Sequence, residues 1–398
     1  MDITIHPSPL KGTLHAIPSK SQAHRLLICA AFADRPTILI CPETNRDIEA
    51  TAACLRSLGA EIQPTEQGYL VNPFHELPKT AALPCGESGS TLRFLLPIVG
   101  ALGVDGTFIM EGRLPYRPLS PLWEEMERMG CALSRPTETT IRCCGRLQSG
   151  TYRISGGVSS QFITGLLLAL SLLQGNSSIE IIGSLESKPY IDMTLQAMRI
   201  FGIQCSNFQI HGGQIFHSPG TLTVEGDWSN GAFFLAASAL GCEIDISGLD
   251  HESAQGDKAV FDLIPHLQEH ATISAKDIPD LVPILSVVAA VKQGAVFTDI
   301  SRLRLKESDR VATIIAMLEA LGGKAEASEN TLTIYPSNLT GGTVNPMNDH
   351  RIAMSAAIAA IVCKEDVTIR NAECVNKSYP KFFEEYRRLG GNYEQYLR

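Results

Sequence analysis

Five times along the chain an amphipathic run ends on a hydrophobic residue followed by glycine. "LRSLGA" closes at Ala60, "MERMGC" at Cys131, "MRIFGI" at Ile203, "LEALGG" at Gly323 and "YRRLGG" at Gly391. Apolar positions three and four apart mark one face of a helix. Glycine offers the left-handed cap that stops it. The closings recur at about 70-residue spacing, except for one gap of nearly double length. "LIPHLQEH" at 263–270 fills that gap as a weaker copy without the glycine. Closings run on into alternating segments with turn residues, such as "AEIQPTEQGYLVN" and "KAEASENTLTIYP". Alternation of this kind predicts hairpin strands. The pattern therefore predicts six units of helix, glycine and hairpin. Grouped three and three, they make two similar domains of sheets with helices inside or alongside.

Composition narrows the class. A chain of 398 residues is too long for one ordinary core and predicts two or three domains. With 44% hydrophobic and 19% charged residues it is globular rather than disordered. The longest apolar runs, such as "GLLLALSLL" at 165–173, fall far short of a membrane span. "MDITIHPSPLKG" has no basic n-region and no apolar h-region, so a soluble, cytoplasmic protein is expected. The eleven cysteines are scattered without a CxxC, which predicts small buried hydrophobes and neither a structural metal site nor a redox motif. His266 and His270 stand four apart, but no partner motif accompanies them, so they read as a solvated helix face.

Charge brings in chemistry. The net charge is −9, which disfavours general nucleic-acid binding. Any anion handled here is small and held by a local cluster. Such clusters sit at predicted helix starts. "PSKSQAHRLLICAAFA", 18–33, opens a helix with Lys20 and Ser21 and places Arg25 one turn on. "CGESGSTLRFLLP", 85–97, is a glycine-serine turn into an apolar helix, without the P-loop spacing. Ser159, Ser160 and Gln161 open another, and Ser187 lies on a loop entering a fourth. In "RLRLKESDRVATII" Lys306 and Arg310 would share one face of a helix beginning near Glu307. Their repulsion is tolerable if an anionic ligand is the missing partner. Asp277 and Asp280 flank a proline before a further helix, Arg351 starts a small-residue helix, and Lys377 approaches the last one. Ordinary capping accounts for any one of these alone. Together they suggest convergence of cations and helix dipoles on phosphate or carboxylate.

Eight segments in order carry a resemblance. "SKSQAHR", "SGSTLRF", "SSQFITGLL", "SKPYIDMT", "GDWSNGAFFLA", "IPDLVP", "LRLKESDR" and "NDHRIAMSAA" span nearly the whole chain. In these the sequence resembles the 5-enolpyruvylshikimate-3-phosphate synthases. The resemblance implies a two-domain inside-out α/β barrel, each domain a threefold repeat of βαβαββ units. It places one domain at 19–226 and the other at 1–18 with 227–398, and the active site in the cleft between them. It implies transfer of the enolpyruvyl group of phosphoenolpyruvate to the 5-hydroxyl of shikimate 3-phosphate, with release of phosphate. The reaction runs by addition and elimination with no cofactor and no metal, and the enzyme is expected as a monomer. By resemblance Asp280 is the base on the 5-hydroxyl, Glu307 relays a proton at the methylene, and Lys20 bridges both substrates as an acid. Lys20, Ser21, Arg25, Ser159, Ser160, Ser187, Asp280 and Lys306 resemble shikimate 3-phosphate contacts. Lys20, Gly89, Arg117, Gln161, Arg310, Arg351 and Lys377 resemble phosphoenolpyruvate contacts. Among these, Arg310 and Arg351 would take the carboxylate, and Lys20, Arg117 and Lys377 the phosphate.

Two positions depart from the family pattern. Glu87 stands where asparagine is common, and Arg302 stands where some members carry an asparagine against the shikimate ring. Two rivals remain. The sister enolpyruvyl transferases acting on UDP-N-acetylglucosamine carry a loop cysteine, and the matching stretch here, "MEGRLPYRPLSPL", has none. A non-catalytic anion-binding protein on the same fold would not need Asp280, Glu307 and Lys20 together.

Overall fold

The computed structural model describes residues 1–396. The chain forms two compact units, Pro18–Val224 and Met1–Ile17 with Glu225–Arg398. Each has its own buried apolar core.

The Pro18–Val224 unit contains six helices: α1 Lys20–Ala31, α2 Arg46–Ser57, α3 Gly89–Leu102, α4 Leu122–Arg128, α5 Ser160–Leu170 and α6 Lys188–Ile200. They alternate with strands of three four-stranded sheets. One sheet shows the plan. Strands Thr80–Gly86 and Asp105–Met110 run parallel, with Leu83 opposite Phe108. Asp105–Met110 then pairs antiparallel with Thr140–Gly145, and Cys131–Thr137 takes the edge. Leu83, Cys85, Phe108, Ile141 and Cys143 are all fully buried. Period-two alternation puts them on one face, against helices. Helix α3 joins the parallel pair and α4 leads to the hairpin, which is a βαβαββ unit. The other two sheets repeat the parallel-then-antiparallel order.

Helices α1, α3 and α5 are buried almost all round. Helices α3 and α5 are largely apolar, as core helices are, whereas α1 buries Gln22, His24 and Arg25 as well. Here the sheets lie outside and these helices inside. Helices α3 and α5 cross closely: a Cβ on Gly165 would stand 2.2 Å from the Arg93 carbonyl oxygen. Only glycine allows that approach.

The other unit holds α7 Trp228–Ala239, α8 Val260–His266, α9 Val282–Val291, α10 Arg310–Ala320, α11 His350–Ala359 and α12 Phe382–Arg388. Two of its sheets are four-stranded on the same plan, and one is the parallel pair Lys11–His15 with Glu243–Ser247. The predicted hairpin is therefore missing from one of the six units. After α8 the chain passes directly to the next strand, Ala271–Ser274. Pro265 sits inside α8 and no left-handed glycine follows it. Gly59, Gly130, Gly202, Gly322 and Gly390, which close the other five, all have positive φ. Behind them the orphan helix carbonyls are bonded: Ile203 N–H donates to Met198 O at 2.9 Å, and Gly323 N–H to Leu318 O at 2.7 Å.

A second expectation needs correcting. Residues 301–305 form a 3-10 turn and α10 opens at Arg310, not near Glu307. Asp309 caps it by accepting the Ala312 N–H at 3.1 Å. Lys306 and Arg310 thus do not lie one turn apart on one helix. All eleven cysteines are free thiols, and all but Cys144 and Cys205 are buried. No helix among the described residues is long and apolar enough to cross a membrane.

Candidate active site

Sequence-distant polar residues gather within each unit. In the Pro18–Val224 unit, Lys20 is the first residue of α1, behind the capping hydroxyl of Ser19. Its Nζ meets Asp47 Oδ2, in the first turn of α2, at 3.0 Å. Both side chains are largely shielded, so the pair is held more firmly than a surface ion pair. Arg25 is buried among its own partners. Nε donates to Thr194 Oγ1 at 2.8 Å, Nη1 to the Ser21 carbonyl at 2.5 Å, and Nη2 to the Tyr190 carbonyl at 2.8 Å. Burial lowers its pKa to about 10, against opposing effects from Tyr190 and Cys29. Most of this guanidinium is thus committed to tying α1 to α6.

The turn before α3 gathers a second group. Gly89 is the first residue of α3 and is buried. A Cβ there would stand 2.6 Å from Arg93 Nη1 and 2.8 Å from Arg117 Nη1. Its absence lets two guanidinium groups come against the helix start. Arg93 donates to Gln161 Oε1 at 3.1 Å, and Gln161 Nε2 donates to Ser90 Oγ at 3.0 Å. Gln161 lies in the first turn of α5, where Ser159 caps by accepting the Gln161 N–H at 3.3 Å. Ser160 is buried beside it. Ser187, before α6, is buried with φ 53° and ψ 41°. A non-glycine residue in that region carries strain of about 1 kcal/mol or more, and such strain concentrates at functional sites. Glu87 is half-buried, with its carboxylate against Gly112.

The other unit builds a denser cluster. Arg310, nearly fully buried at the start of α10, is ringed by three carboxylates. Nη1 meets Asp280 at 2.6 Å, Nη2 meets Glu307 at 2.8 Å, and Nε meets Asp349 at 2.9 Å. Asp349 also caps α11, taking the Arg351 N–H at 3.0 Å, and accepts from the Ser308 hydroxyl at 3.0 Å. Arg351 Nη2 reaches the second oxygen of Asp280 at 3.0 Å, and Lys306 Nζ lies 3.5 Å from the first. The cations crowded near residue 306 therefore already have counter-charges, supplied by the protein.

Burial pushes the Asp280 pKa up, but Arg351, Lys306 and Arg310 outweigh it and hold the carboxyl well below its ordinary value. Burial lowers Arg310, yet Asp349, Glu307 and Asp280 drive it the other way, to a net rise. Burial takes Lys306 down to about 8 despite Asp280. Asp257 is pushed up to about 6 by burial and by the Asp280 charge, with Arg351 opposing. Lys377 is buried at the end of a 3-10 turn, and Arg302 is buried in the turn before Lys306.

Asp47, Arg93, Asp257 and Asp349 join these clusters without having been singled out from the sequence. Arg93 and Asp349 carried a readable signal. One is a lone cation inside an apolar helix, and the other is a cap residue just before His350 and Arg351. Asp47 and Asp257 carried none.

Three comparisons bear on this arrangement. A family model described as EPSP synthase (3-phosphoshikimate 1-carboxyvinyltransferase) matches residues 5–277 and 263–386. The 3-phosphoshikimate 1-carboxyvinyltransferase of Clostridium kluyveri is 37% identical over 420 residues, covering 99% of this chain and 98% of that one. The enzyme of the same name from Clostridium perfringens is 39% identical over 417 residues, covering 98% of each. In fold, the EPSP synthase of Acinetobacter baumannii superposes with a TM-score of 0.81 at 21% identity over all of both chains. Sheets outside and buried helices inside are the two-domain inside-out α/β architecture that this likeness implies. With the match running through both units, the chain belongs to the EPSP synthase family.

Proposed function

We propose that the polar clusters of the two units act on one pair of substrates in the family's reaction. That reaction transfers the enolpyruvyl group of phosphoenolpyruvate to the 5-hydroxyl of shikimate 3-phosphate and releases phosphate. The observation that carries the residue assignment is the grip of Arg310, Arg351 and Lys306 on Asp280. A carboxylate so paired is a poor base, because nearby cations favour its ionised form. If the substrate carboxylate draws Arg310 and Arg351 toward itself, Asp280 recovers proton affinity as both substrates come into place. It then takes the 5-hydroxyl proton while that oxygen attacks the enol carbon.

Glu307 shares Arg310 with Asp280. Once the substrate carboxylate draws that guanidinium away, Glu307 carries the proton that it gives to the methylene in the addition and takes back from the methyl group in the elimination. Lys20 faces the leaving phosphate, and Asp47 keeps its ammonium in place until that charge arrives. Arg117 and Lys377 complete the phosphate site. Gly89 and Gln161 shape the phosphoenolpyruvate subsite, where Arg93 holds Gln161. Ser21, Arg25, Ser159, Ser160, Ser187 and Lys306 hold shikimate 3-phosphate. No step in this scheme calls for a metal or an organic cofactor. Small phosphorylated metabolites as substrates fit a cytoplasmic location.

Phosphate release measured with both substrates tests the assignment. Wild type turns over, and Asp280→Ala loses kcat by about 10²- to 10⁴-fold, the range for removal of a general base. An Asp280→Ala enzyme with wild-type kcat would remove Asp280 from the chemistry.

A further inference from the structure

His24 is fully buried on α1, one residue before Arg25. It lies outside every role assigned above. Its Nδ1 lies 2.7 Å from Thr51 Oγ1 on α2, and Thr51 Oγ1 lies 2.7 Å from Thr91 Oγ1 on α3. Thr91 Oγ1 in turn donates to Ser88 Oγ at 2.7 Å. Ser88 is the N-cap of α3 and accepts the Thr91 N–H at 3.2 Å. A hydroxyl has one proton to give. Since Thr91 gives its proton to Ser88, it accepts from Thr51. Thr51 in turn accepts from His24. The ring therefore carries its proton on Nδ1.

Thr91 Oγ1 also lies 3.4 Å from the Asp47 carbonyl oxygen, a second acceptor that holds the chain in the same direction. His24 Nε2 is buried with no hydrogen-bond partner. A buried polar atom left this way costs free energy, which the Nδ1 hydrogen bond and the packing of the ring must offset. Burial, with Lys20 and Arg25 nearby and only Asp47 opposing, lowers its pKa to about 3. The ring is thus a neutral donor across the working pH range. It also stands edge-on to Phe94 with centroids 6.2 Å apart, while the Arg25 guanidinium lies 5.0 Å from the same ring. Helices α1, α2 and α3 are tied at one point, directly under the Glu87–Gly89 turn.

We infer that His24 is a positioning residue that fixes the Ser88 cap, and through it the seat of Gly89 against Arg93 and Arg117, for binding of phosphoenolpyruvate. The inference rests on the proposed function, since it takes the turn to be the phosphoenolpyruvate subsite. Loss of the donor reverses or breaks the hydroxyl chain and lets the turn shift. A shift of a few tenths of an ångström matters where Gly89 has no room for a single methyl beside two guanidinium groups. Ser159, Ser160 and Ser187 belong to other helices, whereas Ser21 and Arg25 share α1 with His24, so Thr51→Val on α2 gives the cleaner separation of the two substrates.

The test compares His24→Asn, His24→Leu and Thr51→Val in steady-state assays with each substrate varied in turn. Asparagine places a donor near the position of Nδ1, and leucine does not. His24→Leu should raise KM for phosphoenolpyruvate about tenfold, with KM for shikimate 3-phosphate within about twofold and kcat little changed. His24→Asn should restore most of that loss. Thr51→Val cuts the same chain one link further on and should show the same one-sided effect. The double variant His24→Leu/Thr51→Val should be no worse than either alone. Equal shifts in both KM values, or no advantage of asparagine over leucine, overturn the inference. If His24→Leu does not fold, Thr51→Val still decides. An inactive wild type would instead defeat the proposed function, and that outcome is seen before any variant is made.

Discussion

Replacing Arg310 by methionine removes a cation shared by three buried or half-buried carboxylates at 2.6, 2.8 and 2.9 Å. Methionine fills much of the volume, so the change is mainly electrostatic. Asp280 keeps Arg351 and Lys306, and Asp349 keeps Ser308 and the Arg351 amide. Neither set of contacts replaces a guanidinium that is about 1% exposed. Breaking a buried pair from one side costs about 3–5 kcal/mol. With a urea slope of about 2 kcal/mol/M, the unfolding midpoint should fall by ~1.5–2.5 M. The assay can be confined to one unit, because Trp228 and Trp123 lie in different units and a Trp123→Phe background leaves Trp228 as reporter. The effect should also depend on pH. A carboxylate whose native pKa is depressed adds stability above its unfolded value, and loses it as pH falls through the native value. Asp280 is such a group, and Arg310 is one cause. The gap between wild type and variant should be full at pH 7 and should begin to narrow only as pH falls through the native value of Asp280, well below the ordinary carboxylate range. A gap under about 1 kcal/mol at pH 7 would refute the electrostatic reading and leave only packing.

Gly89→Ala should raise KM for phosphoenolpyruvate about tenfold, because the methyl meets Arg93 and Arg117 below contact distance. An unchanged KM for phosphoenolpyruvate would reject the placement. Lys306 loses its charge as pH rises through about 8, so KM for shikimate 3-phosphate should climb above that pH. Lys306→Arg keeps the charge and should move the basic limb upward. An unmoved limb would assign it to another group.

Much of the architecture was legible in one dimension. Left-handed glycines at 59, 130, 202, 322 and 390 marked five helix ends, because the φ they adopt is a local property that few other residues tolerate. The apolar stretches that became α3, α5 and α9 showed their burial through composition alone. Motifs at helix starts flagged Lys20, Gly89, Gln161, Arg310 and Arg351, since capping chemistry and helix entry are written within four residues. The missing hairpin after α8 was less visible. The weaker copy lacked its glycine, and the chain passes from α8 straight to the strand Ala271–Ser274.

What the tertiary structure alone decided is which charges meet. Asp280 and Asp349 close on Arg310 from distant segments, beside its near neighbour Glu307 three residues back, and Asp47 reaches Lys20 from the next helix. His24, Thr51 and Thr91 join across three helices in the same way. No periodicity records such pairings. An ion pair or a hydrogen bond is fixed by distance in space, and that distance is set by how buried helices seat against one another, down to the single missing methyl of Gly165. The sequence by itself determined the repeat, the helix ends and the residue types at each helix entry. Packing determined their partners, and with them the protonation behaviour on which the chemistry depends.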